Sequence, residues 1–285
     1  MGKEGINKLD MKFIDALNKT RLSKEDKREQ YEILHRAKRQ EGVKFSGKFG
    51  KVPISMFDDK NIRSQSLALY TYLSAIAHGW LYLDFSSKVI AGRFGLSKFM
   101  KKEIDGYFQE LVDNGYIKIV KKWFKGKSEF YDLSFEDYSK DFFKVYTEDM
   151  YNIVVGLQSP KVFSVIAAYA AIKSTLYEDK GHLNEEAGIV YASAALLEER
   201  SKLSSGTFFT ARKWLTDNCI ISTIKANLSH KQGVKKNYYS LYNEAYELER
   251  FMIRAWIDDR VNYILDGVIV KKPEKVDQEI LEMLV

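Results

Sequence analysis

The feature that most constrains this chain is an internal echo. The stretch Leu111-Val-Asp-Asn-Gly-Tyr-Ile returns as Leu215-Thr-Asp-Asn-Cys-Ile-Ile, at an offset of 104 residues. The segments around the two copies follow one order. Each has a long apolar stretch of helical length, Ser66–Ala77 and then Lys161–Leu176. Each has a short second helix, Ser87–Phe94 and then Ser193–Arg200, followed by a turn at Gly95-Leu96-Ser97 or Leu203-Ser204. A serine closing such a turn predicts an N-cap. Third helices are expected over Lys98–Asn114, with Ile104, Phe108 and Leu111 at helical spacing, and over Ser205–Asn218. Because the first turn stands three residues earlier relative to its core positions, the first of these helices is expected to begin about a turn sooner. β-type runs follow: Tyr116–Trp123 with Glu129–Phe135, and Ile220–Leu228 with Asn237–Tyr242, each pair read as a hairpin. Cys219 takes the place of Gly115, which gives it a structural rather than a reactive role.

Punctuation sets the boundaries. The chain has only three prolines, and Pro53 and Pro160 each stand just ahead of a long apolar segment. The 285 residues therefore divide into a basic helical arm and linker (1–51), a first body (52–142), a second body (143–245) and a C-terminal helix with a tail (246–285). In the arm, Ser23 to about Gln40 reads as a helix opened by a capping-box-like start at Ser23 and Asp26. Tyr246–Ile264 reads as an amphipathic helix that closes either the core or a homodimer seam. The terminal Asp277–Val285 is read either as a domain-closing clasp or as a docking peptide for a partner protein.

The order helix, helix, tight turn, helix, hairpin resembles the winged-helix form of the helix-turn-helix. Ser204, Phe208, Ala211 and Leu215 fill the places of its recognition-helix signature, while Arg212 stands where that pattern usually has an apolar residue. The resemblance covers roughly residues 52–142 and 159–243. It implies a mostly α fold with small β-hairpins, two winged helix-turn-helix domains in tandem, and double-stranded DNA as the partner. The opening Gly50-Lys-Val-Pro-Ile-Ser-Met-Phe-Asp-Asp is also similar to the start of winged-helix replication initiators and replisome organisers of Gram-positive plasmids and phages. The leading expectation is therefore a replication initiator that binds origin repeats. A winged-helix transcriptional regulator of a phage or mobile element is the alternative, and a protein-docking scaffold a further one.

A helix that enters the major groove meets base edges with its exposed side chains, and a basic hairpin lies along phosphate. The candidate DNA-binding residues on the first body are Lys98, Lys101 and Lys102 on the third helix and Lys121, Lys122, Lys125 and Lys127 around the hairpin tip. On the second body they are Ser205, Thr207, Thr210 and Lys213 on the helix, and Lys231, Lys235 and Lys236 around the tip. The aromatic residues Tyr70, Tyr72, Phe108, Phe163, Tyr169 and Trp214 fall at core spacings and read as packing. The net charge of +6 matches the arm's own balance of 14 basic and 8 acidic side chains, which suits contact with a polyanion.

Other functions find little footing. Gly42-Val-Lys-Phe-Ser-Gly47-Lys48-Phe49 approaches a phosphate-binding loop, but Phe49 replaces the hydroxyl that would hold magnesium, so this stretch reads as a linker. There are no close histidine pairs, no GxSxG elbow and no HExxH helix, and no catalytic residue, cofactor or metal is expected. One cysteine excludes an intramolecular disulfide and fits a reducing compartment, the cytoplasm. No run reaches about 18 uncharged apolar residues and the first ten lack a signal-peptide pattern, so neither a membrane span nor secretion is expected.

Overall fold

Two helices that are apolar on every side organise the chain, α2 (Ser64–Ala77) and α6 (Lys161–Lys173). Such a helix has no polar face to offer water and must be enclosed. In this computed structural model they pack against each other, with Leu67, Leu69, Tyr70 and Leu73 of α2 and Ile166, Ala167, Tyr169 and Ile172 of α6 fully buried. The structure describes residues 48–77, 82–97, 99–176, 190–228 and 235–241, together with 248, 251–252, 261–265 and 268–270. The expected arm helix over 23–40, the tail over 277–285, Lys98 and Lys231 lie outside them.

The first half runs β1 (Phe49–Pro53), α1 (Ser55–Asp58), α2, β2 (Tyr82–Phe85), α3 (Ser87–Arg93), α4 (Met100–Asp113), β3 (Ile117–Lys125) and β4 (Ser128–Phe135). β5 (Phe142–Tyr146) and α5 (Thr147–Leu157) lead into the second half. There α6, β6 (Val190–Ala192), α7 (Ala194–Ser201), α8 (Ser205–Asp217), β7 (Ile221–Leu228) and β8 (Lys235–Leu241) repeat the order, followed by β9 (Val261–Leu265) and β10 (Val268–Val270). The protein is thus a mixed α and β fold with small antiparallel sheets. Strand order β2-β4-β3 in the first half is matched by β6-β8-β7 in the second.

The repeat extends to its helix ends. Gly115 and Cys219 both take the left-handed conformation, with φ of 77° and 58°. At the first, the Tyr116 amide donates to the Leu111 carbonyl at 3.0 Å; at the second, the Ile220 amide donates to that of Leu215 at 2.9 Å. The same closure ends α3 at Gly95 and α7 at Lys202, whose φ values are 64° and 55°. All four satisfy carbonyls that the helix leaves without partners. Two of the four are glycine, and at Lys202 the side chain makes contacts that a glycine could not. The Lys202 ammonium donates to the Asp59 carbonyl, and to that of Ile62 at 2.9 Å, tying the second half to the first. Burial lowers its pKa.

One hydrophobic cluster runs through both halves. Phe163 of α6 sits between Phe94 and Tyr107 of the first half, with ring centroids 5.3 and 5.4 Å away, both edge-on. Five of the six aromatics expected as packing are buried and Trp214 is half-buried. Trp214 lies close over Gly156 of α5, where an added Cβ would come within 3.2 Å of its ring.

Several expectations are corrected. Val261–Ile264, read as the end of a helix beginning at Tyr246, belongs to strand β9, paired with β7 at Ala226, Asn227 and Leu228. The residues Val-Asn-Tyr-Ile-Leu and Val-Ile-Val flank Asp266-Gly267, a pair that favours tight hairpins, and this β signal outweighs the helical spacing. The β content accordingly exceeds two hairpins: among the described residues, the second sheet has five strands in the order β10-β9-β7-β8-β6. Phe49, expected in a linker, belongs to β1, which pairs with β5 from Phe49 opposite Tyr146 to Pro53 opposite Phe142. Gly50 makes that possible, since a Cβ there would lie 2.1 Å from the Ser74 carbonyl oxygen of α2. Helix α4 begins at Met100 with Phe99 at its N-cap, not at Lys98 with Ser97 capping; most of the three extra residues lie in the connection. Strand β8 begins at Lys235, two residues before the expected Asn237, so that Lys235 and Lys236 pair with Asn227 and Ala226 where the strand starts.

Candidate nucleic-acid interface

Helix α4 buries Ile104, Tyr107, Phe108 and Leu111 and turns Lys101, Lys102, Glu103, Asp105 and Gln109 outward. Phe108 fixes its rotation by stacking on Phe85 of β2 at 4.2 Å and leaning on Tyr131 of β4 at 5.5 Å. The neighbouring hairpin is exposed along most of β3. A bulge at Val120 sets Lys121 opposite Asp132 and Lys122 opposite Tyr131, so successive lysines leave on opposite faces. Lys121, Trp123 and Lys125 share one face, with Trp123 stacked on Phe130 at 4.6 Å and donating to Asp132 Oδ1 at 2.6 Å. Lys122 and Phe124 share the other, with Tyr131 and α4.

Lys101, Lys102, Lys121, Lys125 and Lys127 are all exposed, and none forms an ion pair among the described residues. Lys122 differs. It is paired with Glu129 across the hairpin and lies over the Tyr131 ring, 5.5 Å from its centroid. The hydrogen bond to Glu129 raises the Lys122 pKa, and its counterpart holds the Glu129 carboxyl below its ordinary range. Lys101 adds to that lowering, which places the helix and hairpin charges close together. A phosphate approaching Lys122 therefore competes with Glu129, which leaves Lys101 and Lys102 of α4, and Lys121 and Lys125 on the opposite face of the hairpin, as cations without an ion-pair partner among the described residues.

Helix α8 has the same core register, with Phe208, Ala211 and Leu215 buried. Arg212, at a position where the signature has an apolar residue, bonds to the Tyr239 hydroxyl at 3.2 Å and lies 5.3 Å from the centre of the Phe209 ring. Ser205, Thr207, Thr210 and Lys213 are exposed, as is Phe209 at 57%. The three hydroxyls are engaged within the chain. Ser205 donates to Glu198 at 2.9 Å, Thr210 to the Gly206 carbonyl at 2.9 Å, and Thr207 shares a hydrogen with Ser204 at 2.9 Å. In the second hairpin Lys225 is exposed.

The sequence reading did not single out three exposed phenylalanines on these same elements: Phe99 (90%), Phe124 (65%) and Phe209 (57%). Phe209 was legible, since it is adjacent to the core residue Phe208 and so falls outside the helical core spacing. Among the described residues no group of three or more His, Cys, Asp or Glu side chains is placed to hold a metal ion. Nor is any helix there long and apolar enough to cross a membrane. Comparison with protein-family models and with curated proteins finds no match for the chain.

Proposed function

We propose that this protein binds double-stranded DNA through two winged-helix modules in tandem, with α4 and α8 as the helices offered to the groove and β3–β4 and β7–β8 as the wings. The observation that carries this reading is the set of exposed lysines on α4 (Lys101, Lys102) and on both faces of the adjoining strand β3 (Lys121, Lys122, Lys125), beside a helix whose other side is locked into the core. A helix of this kind fits the major groove, about 12 Å wide, and lysines on the adjoining strand suit the phosphates that flank it. Two readers on one chain engage neighbouring sites with the advantage of effective concentration.

The biological role we infer is initiation of replication at an origin, on the strength of the Gly50–Asp59 resemblance. Selection of bound sequences from a random duplex pool, followed by footprinting on the enriched DNA, tests both levels. Direct repeats support the initiator role. A single palindrome over a promoter identifies a transcriptional regulator instead. Enrichment of no duplex removes DNA binding altogether and leaves a protein-docking role.

A further inference from the structure

The two outward-facing helices differ in chemistry. Helix α4 offers charge, in Lys101 and Lys102, while its exposed Gln109 amide donates to Asp113 Oδ1 at 2.7 Å. Helix α8 offers a phenylalanine ring at the centre of its exposed face, ringed by hydroxyls already bonded within the chain. Between Ser205 and Asp217 there is no Asn or Gln, the side chains that bond adenine in pairs. The one guanidinium, on Arg212, is held by Tyr239 and lies over the Phe209 ring. With its hydroxyls engaged in the chain's own hydrogen bonds, what this face offers beside the Lys213 ammonium is chiefly apolar: the Phe209 ring and the methyl groups of Thr207 and Thr210. In the major groove the apolar feature of a base pair is the C5-methyl group of thymine.

We propose that Phe209 is a specificity-determining residue that selects thymine, so that α8 reads methyl groups while α4 and β3 hold the backbone. This rests on the duplex-binding reading above. Exposed Lys213 and Lys225 in the same half favour a polyanion over an apolar protein surface as the occupant. The Arg212 guanidinium stacked on Phe209 keeps the ring oriented before DNA arrives.

The test uses the full chain and one duplex enriched from a random pool, synthesised once with thymine and once with uracil throughout, which removes only the methyl groups. The wild-type protein is expected to lose about fourfold in affinity for each methyl it contacts. Phe209→Ala is expected to bind the thymine duplex more weakly and to make no distinction between the two. The uracil arm requires no variant, so it is independent of any effect on folding. Equal binding of both duplexes by the wild type overturns the proposal, as does a Phe209→Ala variant that keeps the thymine preference. Failure to enrich any duplex is a different result, one that overturns the duplex-binding reading and this inference with it.

Discussion

Phe163 is the side chain on which the shared core can be tested. It is 3% exposed and stands edge-on to both Phe94 and Tyr107, so truncation removes a large buried ring together with two oriented aromatic contacts from the junction of the halves. Phe94 is in turn edge-on to Tyr72 of α2 at 4.8 Å, which leaves little room for neighbours to collapse into the void. Phe163→Ala is therefore expected to lose about 4 kcal/mol. With a urea slope of about 3 kcal/mol per molar, the midpoint should fall by about 1.3 M. Because one cluster spans both halves, that loss should appear in a single cooperative transition, coincident by tryptophan fluorescence and far-UV circular dichroism. Phe163→Leu, which keeps most of the volume, should lose less than about 1.5 kcal/mol. Two separate transitions, one with an unchanged midpoint, would refute a core held in common; so would a Phe163→Ala loss below about 1 kcal/mol.

Three further outcomes follow from local geometry. Gly50→Ala places a Cβ against the Ser74 carbonyl of α2 and is expected to destabilise the fold by on the order of 3 kcal/mol, read by urea denaturation; a neutral variant would mean β1 can lift off α2 without penalty. Cys219→Gly relieves a left-handed residue and should stabilise by up to about 1 kcal/mol, whereas Gly115→Ala imposes that strain and should destabilise by about as much. Burial, with Asp59 assisting at Tyr116 and Glu136 at Tyr138, pushes both phenols up to about 12. Their protonated forms are favoured in the folded state, so this contribution is complete below about pH 10 and is lost as pH rises towards 12. An ultraviolet titration should show at least these two tyrosines ionising well above pH 10; titration of every phenol near pH 10 with the fold intact would contradict it.

What the sequence revealed depended on how local each signal was. Helices α2 and α6 were legible because uninterrupted apolarity over a helical length permits only burial, and the core faces of α4 and α8 because Ile104, Phe108, Leu111 and Phe208, Ala211, Leu215 recur at helical spacing. The substitution of Cys219 for Gly115 was readable as a conformational equivalence. Strands β1 and β5 were not: they find each other across nearly the whole first half, and neither short run has a signal of its own. Helix α5 and the β9–β10 hairpin lacked a counterpart in the repeat, and the hairpin's Asp-Gly signal was obscured by apolar residues at helical intervals just before it. At the interface, charge positions were legible but pairing was not. Nothing along the chain shows that Lys122 faces Glu129, or that the hydroxyls of Ser205, Thr207 and Thr210 are engaged, because both depend on the register of a strand or the turn of a helix.

The most direct test of the central claim is the salt dependence of duplex binding by the full chain, measured by fluorescence anisotropy on the random duplex pool. A reader making about six phosphate contacts should lose on the order of a thousandfold in affinity between about 50 and 200 mM salt. Replacing Lys101, Lys102, Lys121 and Lys125 together with alanine should flatten the log–log slope by about 0.9 for each lysine that meets a phosphate. An affinity indifferent to salt, or a slope unchanged in the fourfold variant, would contradict the assignment of α4 and β3 to DNA.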